Sequence, residues 1–365
     1  MTSIKKISYG QLAIILVTSR LFCEAVNFPL NNTQYCMQRF FVIITAYVIL
    51  FIQFIPMLIL TKKYSGESAT GILTERNKIW GWIAAVLVTV SVLITAISSL
   101  CRLKFYASST IYGQAPPALL IILPLLVCAF AVWKGIQGTA RSGVIFAGVF
   151  VGFFIIMLVS VWKLVDLKWL YPAFIEDGNK FFVQVWEQIG SNSEIVFFAV
   201  LAEHVKEKAH KTILWYVPAI MILLLIMCFI EITVLGPFLG SASFPLFTVS
   251  ALSDIVLFQR LDGIDVAVWT LMCIIKIALS LLCIRTVFGR LLGEKQGMIA
   301  ALAGVVIIGG LSLMYGGSVD FVKAVTGILT FGLPMMICGI VLPIIALVLA
   351  KHTKKESKNK DEQNS

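Results

Sequence analysis

Seven long stretches of the chain carry no charged residue: 40–61, 79–101, 116–133, 142–162, 212–230, 296–319 and 324–350. Each approaches the ~20 residues a helix needs to cross the hydrocarbon of a bilayer. Backbone groups in lipid must satisfy one another, so such stretches are predicted to be helices rather than open strands. Three further stretches keep this character but are interrupted. The first, 9–28, contains Arg20 and Glu24; the second, 179–205, breaks at Gly190-Ser191-Asn192-Ser193-Glu194; the third, 266–284, contains Lys276. Together they predict an all-α integral membrane protein of ten transmembrane helices, followed by a polar, disordered tail over 351–365.

Composition agrees with this pattern. Of 365 residues, 59% are hydrophobic and 13% charged, against roughly a quarter charged in soluble domains. The net charge of +10 follows from topology. With both termini on the cytoplasmic side, 19 of the 29 Lys and Arg fall in cytoplasmic loops, eight outside, and Arg20 and Lys276 within the membrane. The positive-inside rule favours that orientation, and loop cations can meet anionic headgroups. No basic stripe interleaved with aromatics points to nucleic acid. The eight Cys and three His show no metal-ligand spacing. No HExxH, nucleophile elbow or Gly-rich phosphate loop is present, so neither an enzyme nor a cofactor is expected. Lys5 and Lys6 precede a segment without a small-residue cleavage site, so no cleaved signal is expected. Pro56, Pro124, Pro218, Pro334 and Pro343 read as tolerated kinks, and Gly148, Gly152, Gly309 and Gly310 as sites of close helix packing.

The interruptions carry the candidate chemistry. Arg20, Glu24 and Asn27 lie at i, i+4 and i+7, one helical face. Charge at the bilayer centre costs about 2.5–3.5 kcal/mol on the insertion scale, so that face must look into the bundle. It reads either as a ligand-facing stripe or as a structural Arg20–Glu24 pair. The Gly190–Glu194 break separates 181–189 from 195–205, neither long enough to span alone. Asn192 or Ser193 is placed to cap the second half and to leave N–H groups for an anion. Lys276 fits proton coupling, or a permanent counter-ion for Glu24 or Glu194. Glu203 and Glu231 read as interface residues. Paired broken helices opening two halves of five point to a transporter-type site.

Several stretches resemble the spore-germination permease family, the B-subunits of nutrient germinant receptors. They are ISYGQLAIILVTSRLF (7–22), KGIQGTAR (134–141), SEIVFFAVLAEHVKEK (193–208) and the stretch from 244 to 282 with its Phe-Pro start, Arg-Leu-Asp, Trp and helical lysine. The resemblance runs nearly end to end. It implies the amino acid–polyamine–organocation superfamily and a five-plus-five inverted-repeat, LeuT-like fold in which helices 1 and 6 are broken. On that reading residues 1–350 form one permease-like domain, with halves at about 1–162 and 178–350. Arg20, Cys23, Glu24 and Asn27 fall near the helix 1 break, Ser191, Asn192, Ser193 and Glu194 at the helix 6 break, and Lys276 on helix 8. It further implies the spore inner membrane, A-type and C-type partner subunits, and a small nutrient ligand, commonly an amino acid. The superfamily's usual glycine-rich helix 1 break is absent from RLFCEAV. Either Arg20 takes over the carboxylate contact, or the ligand is not an α-amino acid. A proton-coupled amino acid transporter of the same fold is the alternative.

Overall fold

The computed structural model describes residues 6–26, 37–64, 66–113, 116–171, 178–253, 261–315, 321 and 333–350. Asn27 and the 351–365 tail lie outside the described residues. The first half contains α1 (Tyr9–Ala25), α2 (Gln38–Gln53), α3 (Ile55–Lys63), α4 (Ala69–Arg76), α5 (Lys78–Thr110), α6 (Pro117–Lys134) and α7 (Ile136–Val161). The second contains α8 (Gly178–Gly190), α9 (Glu194–Leu201), α10 (His210–Leu235), α11 (Pro245–Ala251), α12 (Asp262–Leu292), α13 (Glu294–Tyr315) and α14 (333–350), the last with a π-helical segment over Ile337–Val341. Among the described residues there is no strand, only an isolated parallel bridge between Ile7 and Val205.

Six helical stretches are long and apolar enough to cross a membrane: Gln38–Lys63, Lys78–Thr110, Ile136–Leu164, His210–Gly240, Asp262–Leu292 and Glu294–Tyr315. Ala118–Lys134 and Ile337–Ala350 are apolar but shorter. Large apolar side chains such as Val159, Val306 and Ile79 point outward on these helices, an exposure that a hydrocarbon solvent accounts for. The chain is therefore an integral, multi-pass membrane protein. The expected ten crossings exceed these six by four: α1, at 17 residues, the separate α8 and α9, and the shorter apolar stretches of α6 and α14 each fall short of that length individually.

Local sequence sets the element ends. Ser8 opens α1 with a capping box: its hydroxyl accepts from Gln11 N, and the Gln11 side chain accepts from Ser8 N. Gly135 between α6 and α7 has φ 78° and Gly293 between α12 and α13 has φ 106°, backbone values that side chains resist. Pro56 falls in the first turn of α3, just after α2 gives way to it, where its missing N–H costs nothing. Pro124 and Pro218 lie inside α6 and α10.

α12 is the most enclosed of the six spans. It packs against α13, α5, α1, α6, α7 and α9, which makes it the axis on which the polar side chains converge. The glycine expectation needs correcting. A Cβ at Gly148, Gly152 or Gly310 would meet nothing, whereas one at Gly309 would meet Leu125. The tight approaches lie elsewhere, at Gly143 against Ile15, Gly339 against Ile195, and Gly297 against the α12 backbone. Spacing marks small residues but not which face of the helix they occupy. Added methyls should separate the two classes. Gly297→Ala would place a Cβ 2.5 Å from Arg285 O and 2.7 Å from Gly289 N. It is expected to cost about 1–3 kcal/mol through backbone displacement and to lower the melting temperature of the purified protein. Gly148→Ala, into open space, is expected to leave that temperature unchanged or raise it.

Candidate functional site

The three interrupted stretches meet. α1 is continuous through Arg20, Cys23 and Glu24 and ends at Ala25, so its charged interruption is not an unwinding within the described residues. An i, i+4 pair on one face is compatible with unbroken helix. The second interruption is a true break: α8 stops at Gly190, Ser191–Ser193 turn, and α9 starts at Glu194. Gly, Ser and Asn favour turns over helix interior, which accounts for the break at this point.

Two connected groups of polar side chains fill the junction. In the first, Lys276 on α12 is completely buried and donates to Ser193 Oγ (2.7 Å) and Glu194 Oε1 (2.8 Å), with longer contacts to Ser19 Oγ (3.4 Å) and Ser19 O (3.5 Å). Ser19 Oγ donates to the same Glu194 oxygen at 2.7 Å. Of the two partners open from sequence, Lys276 takes Glu194 and not Glu24. The ammonium also lies 5.8 Å from the Phe197 ring centroid. Glu194 is itself fully buried, and among the described residues its Oε2 has no hydrogen-bond partner.

In the second group, Arg20 Nε donates to the Tyr47 hydroxyl (3.1 Å), and its terminal nitrogen pairs with Glu24 Oε2 (3.3 Å). Asn192 Nδ2 donates to the same Tyr47 hydroxyl (3.3 Å), while the Tyr216 hydroxyl donates to Asn192 Oδ1 (2.7 Å). Gln188 on α8 reaches Glu24 Oε2 at 3.4 Å. The two groups share backbone: Ser19 and Arg20 are adjacent on α1, and Asn192 to Glu194 form one turn. α1, α2, α8–α9, α10 and α12 are thus joined through side-chain hydrogen bonds.

Two expectations for the break change. Neither Asn192 nor Ser193 caps α9 by its side chain: Ser193 Oγ faces Lys276, and Asn192 faces the two tyrosines. The N–H groups of Ile195, Val196 and Phe197 are tied to the carbonyls of Asn192 and Ser193. The anion at this helix start is the protein's own Glu194, which the helix dipole favours there. Ser191 donates its hydroxyl back to Gln188 O (3.0 Å). Cys23 is buried as a free thiol, with no hydrogen bond among the described residues. Sequence reasoning missed Ser19, Tyr47, Tyr216 and Gln188.

Other buried charges sit toward the ends of the bundle. Glu203 accepts from Ser68 (2.6 Å) and Arg290 (3.1 Å), and Arg290 also pairs with Glu75 (2.8 Å). Beside it Ile7 N donates to His204 O (2.8 Å) and Lys206 N to Ile7 O (3.0 Å), stitching the start of the chain to the end of the α9 segment. Glu231 pairs with Arg39 at 2.8 Å. Asp265 on α12, also overlooked in the sequence, is fully buried and accepts from Tyr106 and from Trp269 Nε1 (2.9 Å).

Comparison with known proteins gives the family and the fold. Residues 6–316 match the family model described as spore germination protein. The chain belongs to the spore germination permease family. None of the curated proteins matches it in sequence. Among solved structures, this permease resembles a Na+-coupled sialic acid symporter in a substrate-bound outward-open state. The TM-score is 0.66 at 16% identity, covering 92% of this chain and 79% of the symporter. It also resembles the Eremococcus coleocola manganese transporter, with a TM-score of 0.55 at 12% identity over 95% of this chain and 82% of that one. At these identities the likeness is one of fold. The spore permease therefore has a LeuT-type transporter fold and is a permease-like membrane protein.

Proposed function

We propose that this permease is the B-type subunit of a spore nutrient-germinant receptor, binding a small nutrient, an amino acid, beside the α8–α9 break. The observation that carries the reading is the convergence of buried charge from α1, α9 and α12 at one place inside a membrane bundle. Charge there is expensive and marks function by default. On this reading α1, the α8–α9 pair, α6 and α14 join the longer spans to give ten crossings in two inverted halves, with both termini cytoplasmic and the protein in the spore inner membrane. Arg20 offers the nutrient carboxylate a charge-assisted contact. Asn192, Glu24, Gln188 and Tyr47 surround it, and Glu194 Oε2 supplies an unspent acceptor for the nutrient ammonium. Cys23 and Ser191 flank this space on the same reading. Binding shifts the population between open and occluded bundles, and A-type and C-type subunits read the shift. No catalytic step is assigned.

A proton-coupled amino acid transporter is the second reading, favoured by the buried Lys276–Glu194 pair and by the fold shared with a coupled symporter. Thermal shift of the purified protein against an amino acid panel, followed by uptake into proteoliposomes under an imposed proton gradient, separates the two. The receptor reading expects a stabilising amino acid and no gradient-driven uptake. Uptake would establish the transporter. If neither the isolated chain nor its complex with A- and C-type subunits binds any panel member, the amino acid reading fails.

A further inference from the structure

A cavity of about 360 Å³ lies outside the polar junction, between α1, α7 and α10, with Met272 of α12 at its floor. One wall is the face of α1 from Tyr9 to Leu21. The opposite wall is an i, i+4, i+8 stripe on α10, Trp215, Ala219 and Leu223, and Phe150 and Val151 of α7 close the far side. The lining is apolar apart from the Tyr9 phenol and Thr18, whose hydroxyl is already donated to Ile14 O (2.8 Å). Trp215 and Val151 are more than half exposed, so the groove opens sideways toward lipid. Nothing in it suits the polar nutrient proposed above.

Length, depth and charge identify an occupant. Twelve residue steps of α1 from Tyr9 to Leu21 span about 18 Å, close to the ~15 Å depth of one hydrocarbon leaflet. Tyr9 and Trp215 mark the shallow end, where amphipathic rings sit at headgroup level. One turn before Trp215 on the same α10 stripe is Lys211, its ammonium 5.8 Å from the Tyr9 ring centroid. No carboxylate among the described residues pairs with it. Lys206 and Lys208 are exposed nearby in sequence. An apolar slot one leaflet deep, with a cation at its headgroup end, matches an anionic phospholipid.

We propose that this groove is a lipid site. One acyl chain of an anionic phospholipid, from the leaflet at the N-terminal end of α1, lies between α1 and α10, and its phosphate meets Lys211. The site shares a wall with the polar junction: Thr18 and Leu21 line the groove, while Ser19 and Arg20 between them turn into the charged cluster. A seated lipid therefore braces the helix that carries Arg20.

The test reconstitutes the full chain in phosphatidylcholine nanodiscs with a trace of phosphatidylglycerol bearing a diazirine on its acyl chain, or phosphatidylcholine labelled in the same way. Adducts are mapped by mass spectrometry. Labelling is expected to concentrate several-fold on the α1 and α10 groove faces relative to the outer face of α13 around Val306. Phosphatidylglycerol should exceed phosphatidylcholine there. Ala219→Trp should reduce groove labelling several-fold and spare α13, and Lys211→Gln, at a half-buried position, should erase the headgroup preference. Labelling spread evenly over the lipid-facing helices would overturn the site. Unchanged groove labelling in a folded Ala219→Trp protein would do the same. An equal yield from both headgroups, unaltered by Lys211→Gln, would overturn the anionic assignment.

Discussion

Lys276→Met is expected to destabilise the bundle by about 3–5 kcal/mol, because it strands the fully buried Glu194 carboxylate without its cation. Two serine hydroxyls would remain near Oε1, the Ser19 contact at 2.7 Å and the Ser193 contact at 3.4 Å, and neither supplies a positive charge. Glu194→Gln alone strands the ammonium in the same way, since Lys276 would keep only neutral acceptors. The double variant Lys276→Met, Glu194→Gln removes both charges and is expected to recover most of the loss. Buried pairs replaced as a unit often cost little, whereas half-pairs cost a great deal. Thermal unfolding of the four proteins in detergent gives the coupling directly. A double variant no more stable than either single one would show that the pair is not the electrostatic unit its 2.8 Å geometry describes.

Arg20→Gln is expected to weaken nutrient binding about 10- to 150-fold, the equivalent of a charge-assisted hydrogen bond worth about 1.5–3 kcal/mol. Glutamine keeps polarity and much of the length but loses the charge and the fork. Lysine keeps the charge and loses the planar geometry, so Arg20→Lys is expected to fall between the two. Glu24 retains some exposure and a second contact from Gln188, so losing its arginine partner leaves it less stranded than Glu194 would be. Titration by thermal shift or calorimetry with the stabilising amino acid checks the order. Equal affinity in wild type and Arg20→Gln would remove Arg20 from the ligand contact and leave it a structural partner of Tyr47 and Glu24.

The interruptions were legible because charge inside an apolar run has few physical explanations. Arg20, Glu24, Glu194 and Lys276 each stood out against a sequence with almost no charge around them, and all four meet at one junction. The break at Gly190–Glu194 was legible for the same reason, a cluster of turn-formers where helix should continue. Their partners were not. Tyr47 and Tyr216 sit in apolar runs where an aromatic ring reads as core, and nothing in the spacing shows that their hydroxyls converge on Asn192. Ser19 is silent in sequence because a serine costs a membrane helix little. The role of Ser193 also escaped: capping is a local rule, and a lysine 83 positions later took its hydroxyl instead. Gly148 and Gly152 show the same limit, since facing depends on the rotation of the whole helix. Asp265 could have been flagged as an acid next to an apolar run, the signal that found Lys276.

The central claim is that the nutrient binds where Arg20 and the α8–α9 break face one another. Its most direct test is an electron cryomicroscopy map of the protein, enlarged by an antibody fragment and bound to the amino acid selected by thermal shift. The account predicts ligand density in contact with Arg20 and Asn192, the carboxylate toward the guanidinium. Density elsewhere in the bundle, with the Arg20–Tyr47–Asn192 network intact and untouched, would contradict it.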